Sequence, residues 1–425
     1  MGTYEQRYWL NDTWGMNRSE RQSGTYHPYI PTMLMEQDIV LTASASQAVA
    51  QAQADISLLN ERVQHLMGTE PLARLILRSE AMASSKIEGL TMNAGKLLEY
   101  EALEELGVPH RLDRNEAAIL ANISSMQEGI IEAARERTIT VETICDVNKR
   151  LLEHTDMASY GGVLRTTQNW IGGNNVNPIG AAFVPPVPER VPLLMEDLVS
   201  FINTSELPAV AIAAIAHAQL ETIHPFADGN GRTGRTLIHI IVKRRGVATR
   251  TIPPVSLVLA TDKDRYIANL SAYRTDEDDP TSDSFVVAAN DWIEYFARAV
   301  SLSCDRASAF EQRLSAIEDS WRSTLRPRAH SAADILLDKL VDNPVVSINS
   351  AKRLTGRSYE AARNAVASLE AAGILVQNAR NRKSGIYVAP DVLNAFTLYE
   401  RALATPGGDT ATVKPQRPVP QRPPR

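Results

Sequence analysis

Apolar positions recur every three to four residues through most of the chain from about Val40 onward, the period of helices with one buried face. TEPLARLILRSEAMASSKIEGL (69–90) is the best marked. Thr69 suits its N-cap, Pro71 its first turn and Gly89 its stop, while Leu72, Leu75, Ile76, Ala83 and Ile87 form an apolar stripe. The same pattern predicts helices around 91–106, 114–135 and 140–155, near Val191, near Pro208, and a long one from about Asn290. Two stretches break it. Residues 1–35, rich in Tyr, Trp, Pro and Asn, read as an extended arm lying on the domain. GGVLRTTQNWIGGNNVNPIGAAFVPPVPERV (161–191), with its Gly, Asn and Pro and short β-type runs, predicts a hairpin. The fold class is mainly α.

The C-terminal part has its own order. SAADILLDKLV reads as a helix, SINSAKRLTG as a short one, and SYEAARNAVASLEAAG as an amphipathic helix with Ala362, Val366 and Leu369 inward. ILVQNARNRKSGIYVAP then reads as strand, basic turn and strand. That is the order of a winged helix-turn-helix. The Pro- and Arg-rich TPGGDTATVKPQRPVPQRPPR lacks core-forming residues and predicts a disordered tail. The chain therefore divides into residues 1–305, a helical linker 306–330 closing on RPRAH, a winged helix-turn-helix 331–403 and a tail 404–425.

Composition removes several classes of function. With 425 residues, 44% hydrophobic and 22% charged, the chain is an ordinary globular one of two or three domains. No apolar run approaches the roughly 18–20 residues of a membrane span, and MGTYEQRYWLNDTWG lacks the order of a signal peptide. Both absences predict a cytoplasmic protein with no membrane partner. Cys145 and Cys304 form no CxxC pair and are expected as buried, inert thiols. A net charge of −6 excludes a globally basic nucleic-acid binder and leaves room for a local basic patch.

The chemistry concentrates in HPFADGNGRTGR (224–235), between an alanine-rich helix and an apolar one. Gly229, Gly231 and Gly234 satisfy G-x-G-x-x-G, but a helix precedes them where a dinucleotide fold needs a strand, and the region about 20 residues on is TIPPVSL, without the expected acid. Gly229-Asn230-Gly231 permits a tight turn whose N–H groups converge where a helix begins, a ready anion site. Arg232 and Arg235, three apart, can each grip a phosphate. Asp228 offers a hard oxygen suited to a Mg²⁺ that bridges two phosphates, and His224 can take a proton near neutral pH. Together these suit phosphoryl or nucleotidyl transfer. His217 and His239, on the flanking helices, are expected as core histidines.

The segment matches the motif H-x-F-x-[DE]-G-N-G-R-x-x-R at every fixed position and resembles the Fic (Fic/DOC) family, with flanking likeness over roughly residues 30–300. The resemblance implies a Fic-type helical core with a β-hairpin flap, and a protein adenylyltransferase that uses ATP and Mg²⁺. It implies His224 as the base that deprotonates a target hydroxyl, Phe226 as a loop anchor and Asp228 as the metal ligand. Gly229, Asn230, Gly231, Arg232, Thr233, Gly234 and Arg235 would surround the phosphates, with Arg235 on the γ-phosphate. Ile179, Gly180, Ala181, Ala182 and Phe183 would form the flap that holds the target segment by strand addition. Tyr266, and more weakly Tyr273, would line the adenine pocket.

SSKIEG (84–89) matches the family's inhibitory pattern [ST]-x-x-x-E-[GN]. Ser84 and Glu88 are four apart on one face, and Glu88 falls in the last turn, where it opposes the helix dipole. By resemblance Glu88 would pair with Arg235 and keep it off the γ-phosphate. Some relatives use the same glutamate to remove AMP, so a deAMPylase or a bifunctional enzyme stays open. In the winged helix, Lys352, Arg353, Arg357, Arg363, Arg380, Arg382 and Lys383 outweigh Glu360 and Glu370. DNA, a protein partner or a homodimer fit that surface, and so does a DNA-binding regulator whose Fic site senses nucleotide.

Overall fold

The computed structural model describes residues 2–11, 17, 19–65, 69–105, 111–133, 135–136, 138–276, 284–377 and 385–402. In chain order, β1 is Gly2–Tyr4, β2 Arg7–Trp9, β3 Gly24–Tyr26 and β4 Tyr29–Pro31. Then come α1 Ala43–His65, α2 Thr69–Ile87, α3 Ala94–Glu105, α4 Arg114–Ala133, α5 Val141–Leu152, α6 Val191–Thr204, α7 Ala209–Ile223 and α8 Asn230–Arg244. After these follow α9 Val255–Thr261, α10 Lys263–Ala272, α11 Ser284–Thr324, α12 Ala332–Leu340, β5 Val345–Ser347, α13 Ile348–Thr355, α14 Tyr359–Ala371, β6 Val376–Gln377, β7 Ile386–Val388 and α15 Pro390–Ala402. The mainly α expectation holds. Contacts group the chain into two compact units: residues 1–57, 120–249 and 264–301 form one, and 58–119, 250–263 and 302–425 the other.

In the first unit every residue of α7 is buried. Its alanines make this feasible, because small side chains let neighbouring helices approach on all sides. α6 packs along α7, and α8 crosses it at Gly234, where a Cβ would lie 2.9 Å from His217 Nδ1 and 3.3 Å from Leu220. Trp292 of α11 donates its indole N–H to the Ala214 carbonyl at 2.7 Å, so a large ring is buried without an orphan donor. The N-terminal arm is more ordered than composition suggests. β1 pairs antiparallel with β4, and β2 with β3 (Arg7↔Tyr26, Trp9↔Gly24), a ribbon that brief, aromatic-rich runs conceal from periodicity analysis. The expected hairpin of 161–191 reduces to one antiparallel bridge, Ile171↔Phe183, with side-chain amides doing the work of a ladder.

In the second unit α2 packs along α9. The buried Glu80 carboxylate takes the Ser256 N–H (2.8 Å) and hydroxyl (2.5 Å) at the start of α9, and Lys263 Nζ donates to the Ile87 carbonyl at the end of α2. Thr69, expected as the cap, is itself the first helical residue of α2. The helix stops at Ile87, so Glu88 lies one residue beyond it and not in its last turn. Gly89 takes φ +86°, and the Gly89 and Leu90 N–H groups bond to Lys86 and Ser85 carbonyls, each at 3.0 Å.

Further along the second unit, α12, α13 and α14 stand beside an antiparallel sheet of order β5-β7-β6, with Val388 opposite both Val345 and Val376. β5 and α15 are elements the periodicity left unassigned. The basic turn with Arg380, Arg382 and Lys383, and the tail 404–425, lie outside the described residues. Among the described residues no helix is long and apolar enough to cross a membrane.

Candidate active site

The site grows from the junction of α7 and α8. His224 ends α7 as its C-cap at φ +50°, ψ +58°, in the left-handed region that a non-glycine residue occupies only when its surroundings insist. Pro225, without an N–H, cannot continue the helix. The insistence comes largely from Arg165. Its side chain donates from Nε to the His224 carbonyl (2.9 Å), from Nη2 to those of Pro186 (2.5 Å) and Ile223 (3.3 Å), and from Nη1 to that of Thr167 (3.2 Å). Its own N–H reaches the Pro225 carbonyl at 2.8 Å. Burial pulls the guanidinium down to about 10, which leaves it a cation at neutral pH. Asn169 Nδ2 adds bonds to the His224 (3.2 Å) and Phe226 (3.1 Å) carbonyls.

The loop beyond is pinned in the same manner. Phe226 is fully buried, and the Asn230 amide bonds both its N–H and its carbonyl at 2.9 Å. Asn148 of α5 donates to the Asp228 carbonyl (3.0 Å) and the Thr233 hydroxyl (3.2 Å) and accepts the Gly162 N–H (3.0 Å). Gly229 caps α8 at φ +81°, and a Cβ there would meet Leu151 at 2.8 Å and Asn148 at 3.0 Å. Only glycine serves at that position. α8 thus begins at Asn230, with the positive end of its dipole at the loop.

Charges follow. Asp228 takes the Gly229 N–H on Oδ1 at 2.7 Å, and its Oδ2 lies 3.5 Å from Arg232 Nη2; its side chain is 48% exposed, the one carboxylate of the loop facing solvent. Arg232 and Arg235 are buried. His224 Nδ1 lies 3.9 Å from Glu221 Oε2. His217 is a core histidine: fully buried, it meets the Tyr266 hydroxyl through Nε2 at 2.8 Å, and burial, then the charge of Arg235, push it down to about 3. It is neutral at any physiological pH. Tyr266 is buried with its ring stacked on His217, and Tyr273 is buried beside Phe285. His239 is also buried.

Of the flap residues, Phe183 carries Arg274 over its ring at 3.6 Å and faces Tyr29, and Ile179 abuts Gly24. Arg274 in turn bonds Thr222 Oγ1 (3.2 Å) and the Glu221 carbonyl (3.4 Å) at the end of α7. Gly180 and Ala182 are exposed and Ala181 partly so. The structure therefore gathers His224, Phe226 and residues 228–235 into one loop and helix start, with the flap joined to the same helix end. Ser84 (buried) and Glu88 (exposed) belong to the second unit.

Sequence reasoning missed Asn148, Arg165, Asn169 and Arg274. Asn148 did leave a signal, as an amide inside the apolar stripe Ile144, Val147, Leu151, Leu152 of α5. The other three sit in or beside loops, where no period points inward.

A glycine-capped helix start with two buried arginines, and a histidine and a carboxylate beside it, is an arrangement that can receive an anion. Residues 138–242 match the Fic/DOC family, and residues 46–130 match the Fic/DOC family N-terminal region. The chain carries a Fic/DOC domain. It is 28% identical over 230 residues to protein adenylyltransferase fic-1 of Caenorhabditis elegans, covering 51% of this chain and 42% of the relative. It is 38% identical over 118 residues to protein adenylyltransferase Fic of Drosophila grimshawi, covering 27% of this chain and 22% of the relative. The chain thus spans less than half the length of these curated relatives. Among solved structures, a Fic family protein from Desulfovibrio desulfuricans G20 aligns with TM-score 0.51 at 19% identity over 83% of this chain and 98% of that one, a likeness of fold.

Proposed function

We propose that the chain is an autoinhibited protein adenylyltransferase, moving AMP from ATP to a Ser, Thr or Tyr hydroxyl of a target protein and of itself. The observation that carries this reading is the glycine-capped start of α8, with His224, Asp228, Arg232 and Arg235 around it. The first N–H groups of α8 and the two arginines hold the triphosphate. The target hydroxyl oxygen attacks the α-phosphorus, forming a new P–O bond. The bond from that phosphorus to the α,β-bridging oxygen breaks, pyrophosphate leaves, and the hydroxyl proton passes to the His224 imidazole.

A Mg²⁺ fits the donor set. Among the described residues no three His, Cys, Asp or Glu side chains cluster, but Mg²⁺ is commonly held by one or two carboxylates, substrate phosphates and water, and Asp228 supplies the carboxylate. When bound, the ion offsets charge on the phosphates. Glu88, one residue beyond the end of α2 in the stretch that matches the inhibitory pattern, is the proposed brake.

α-labelled ATP and Mg²⁺ test the assignment. Wild type labels weakly, Glu88→Gly strongly, and Glu88→Gly/His224→Ala not at all. Undiminished labelling by the last variant overturns the role of His224, and equal labelling by wild type and Glu88→Gly at saturating ATP overturns the brake. Release of AMP from a modified target that depends on Glu88 would favour the deAMPylase reading.

The sheet order β5-β7-β6 with α12–α14 supports reading 331–403 as a winged helix-turn-helix. We assign it to protein docking, with a homodimer as one form. Salt-sensitive retardation of duplex DNA by the full chain would instead favour the DNA-binding regulator.

A further inference from the structure

The N-terminal ribbon lies against the flap at four separate places. Trp9 of β2 meets Trp170 edge-on, with ring centroids 5.6 Å apart. Opposite Trp9 in the ribbon is Gly24, and a Cβ there would come within 3.3 Å of Ile179 Cδ1. Buried Asn177 donates from Nδ2 to the carbonyls of Ser19 (3.0 Å) and Glu20 (3.1 Å), while its Oδ1 accepts from Asn174 Nδ2 and the Ile179 N–H, each at 3.2 Å. Tyr29 donates its N–H to Val184 at 2.9 Å and its hydroxyl to Thr275 at 2.8 Å, with its ring against Phe183.

These contacts are not incidental to a loop. The flap has only the Ile171↔Phe183 bridge as a backbone ladder, too little to fix a segment on its own. Its amide hub faces the ribbon and its own turn at once. The aromatic pair and the glycine-to-isoleucine contact fall on the same ribbon face, because Trp9 and Gly24 are register partners and successive side chains alternate.

We propose that the N-terminal ribbon is the splint of the flap, making Trp9, Gly24 and Asn177 positioning residues for the target segment. The inference deepens the transferase reading and rests on it for the word target. The splint sets how rigidly residues 171–183 meet an incoming extended polypeptide, and thus which segments are received, while leaving the phosphate loop untouched.

Asn177→Asp separates the two halves of the hub. It removes the donor that reaches Ser19 and Glu20 but keeps an acceptor for Ile179. In a Glu88→Gly background, we expect amide hydrogen exchange of 171–183 to quicken at least tenfold in Asn177→Asp and in Trp9→Ala, and to stay near the parent value in Trp9→Phe. Exchange in α7 and α8 should not change. Self-labelling from ATP should fall about tenfold in the two loosened variants, with affinity for a non-hydrolysable ATP analogue held within twofold. Flap exchange within twofold of the parent in both variants overturns the splint, and a loosened flap with unaltered self-labelling overturns its role in positioning. A parent that labels nothing counts against the transferase reading, and the exchange result then decides the splint by itself.

Discussion

Arg165 is the residue whose loss should hurt most per atom removed. Arg165→Met deletes the side-chain donors to four carbonyls. His224 O retains Asn169 Nδ2, and the bond to Ile223 O is long at 3.3 Å, so the largest effects fall on Pro186 O and Thr167 O. At about 1–3 kcal/mol for each of these two buried polar groups left unmade, the loss is about 2–6 kcal/mol, against a total of about 5–15 kcal/mol for a domain. Arg165→Lys keeps the charge but not the fork, and should recover less than half. Chemical denaturation measures the stability. Turnover gives the second readout. With one holder of the left-handed His224 gone, the base moves, and a displacement of about 1 Å can cost on the order of a hundredfold. Binding of an ATP analogue should change less than threefold, because Arg165 bonds none of residues 228–235. Stability within about 0.5 kcal/mol of wild type together with full turnover would refute this reasoning.

Three further outcomes follow from the same geometry. Gly229→Ala should destabilise by about 2–4 kcal/mol, combining a left-handed backbone with overpacking on Leu151 and Asn148, and should abolish ATP-analogue binding in calorimetry. The depressed His217 contributes stability that is present above about 6.5 and lost as pH falls toward 3, since only the unfolded chain takes up the proton; a Tm series over that range should slope less steeply in His217→Gln. In the second unit, Glu80→Ala strands both donors of Ser256 and should cost about 2–4 kcal/mol in thermal unfolding, with Glu80→Gln intermediate.

Much of the fold was legible because helices announce themselves by period: α2 to α8 fall near their expected places, and Gly89 stops α2 through a left-handed turn. The tight turn and helix start at 229–235 were legible because glycine and asparagine at that spacing permit a left-handed turn where a helix begins. The N-terminal ribbon was not, since three-residue strands of Tyr and Trp carry too short an alternation to read. The same holds for β5, three residues long and buried throughout, hence without an exposed alternate. Gly234 shows a limit of another kind: its spacing suits a phosphate nest, while its Cβ-free side is where α8 crosses α7 over His217. Arg165 and Asn169 act through backbone carbonyls, a use that no sequence pattern records.

The central claim is that the start of α8 takes up a magnesium-bound nucleoside triphosphate. Isothermal titration of the Glu88→Gly variant with a non-hydrolysable ATP analogue and Mg²⁺ tests it most directly. The account predicts a single site, weakened severalfold by Asp228→Asn and abolished by Gly229→Ala. No binding by either the native chain or the Glu88→Gly variant at millimolar nucleotide would contradict it.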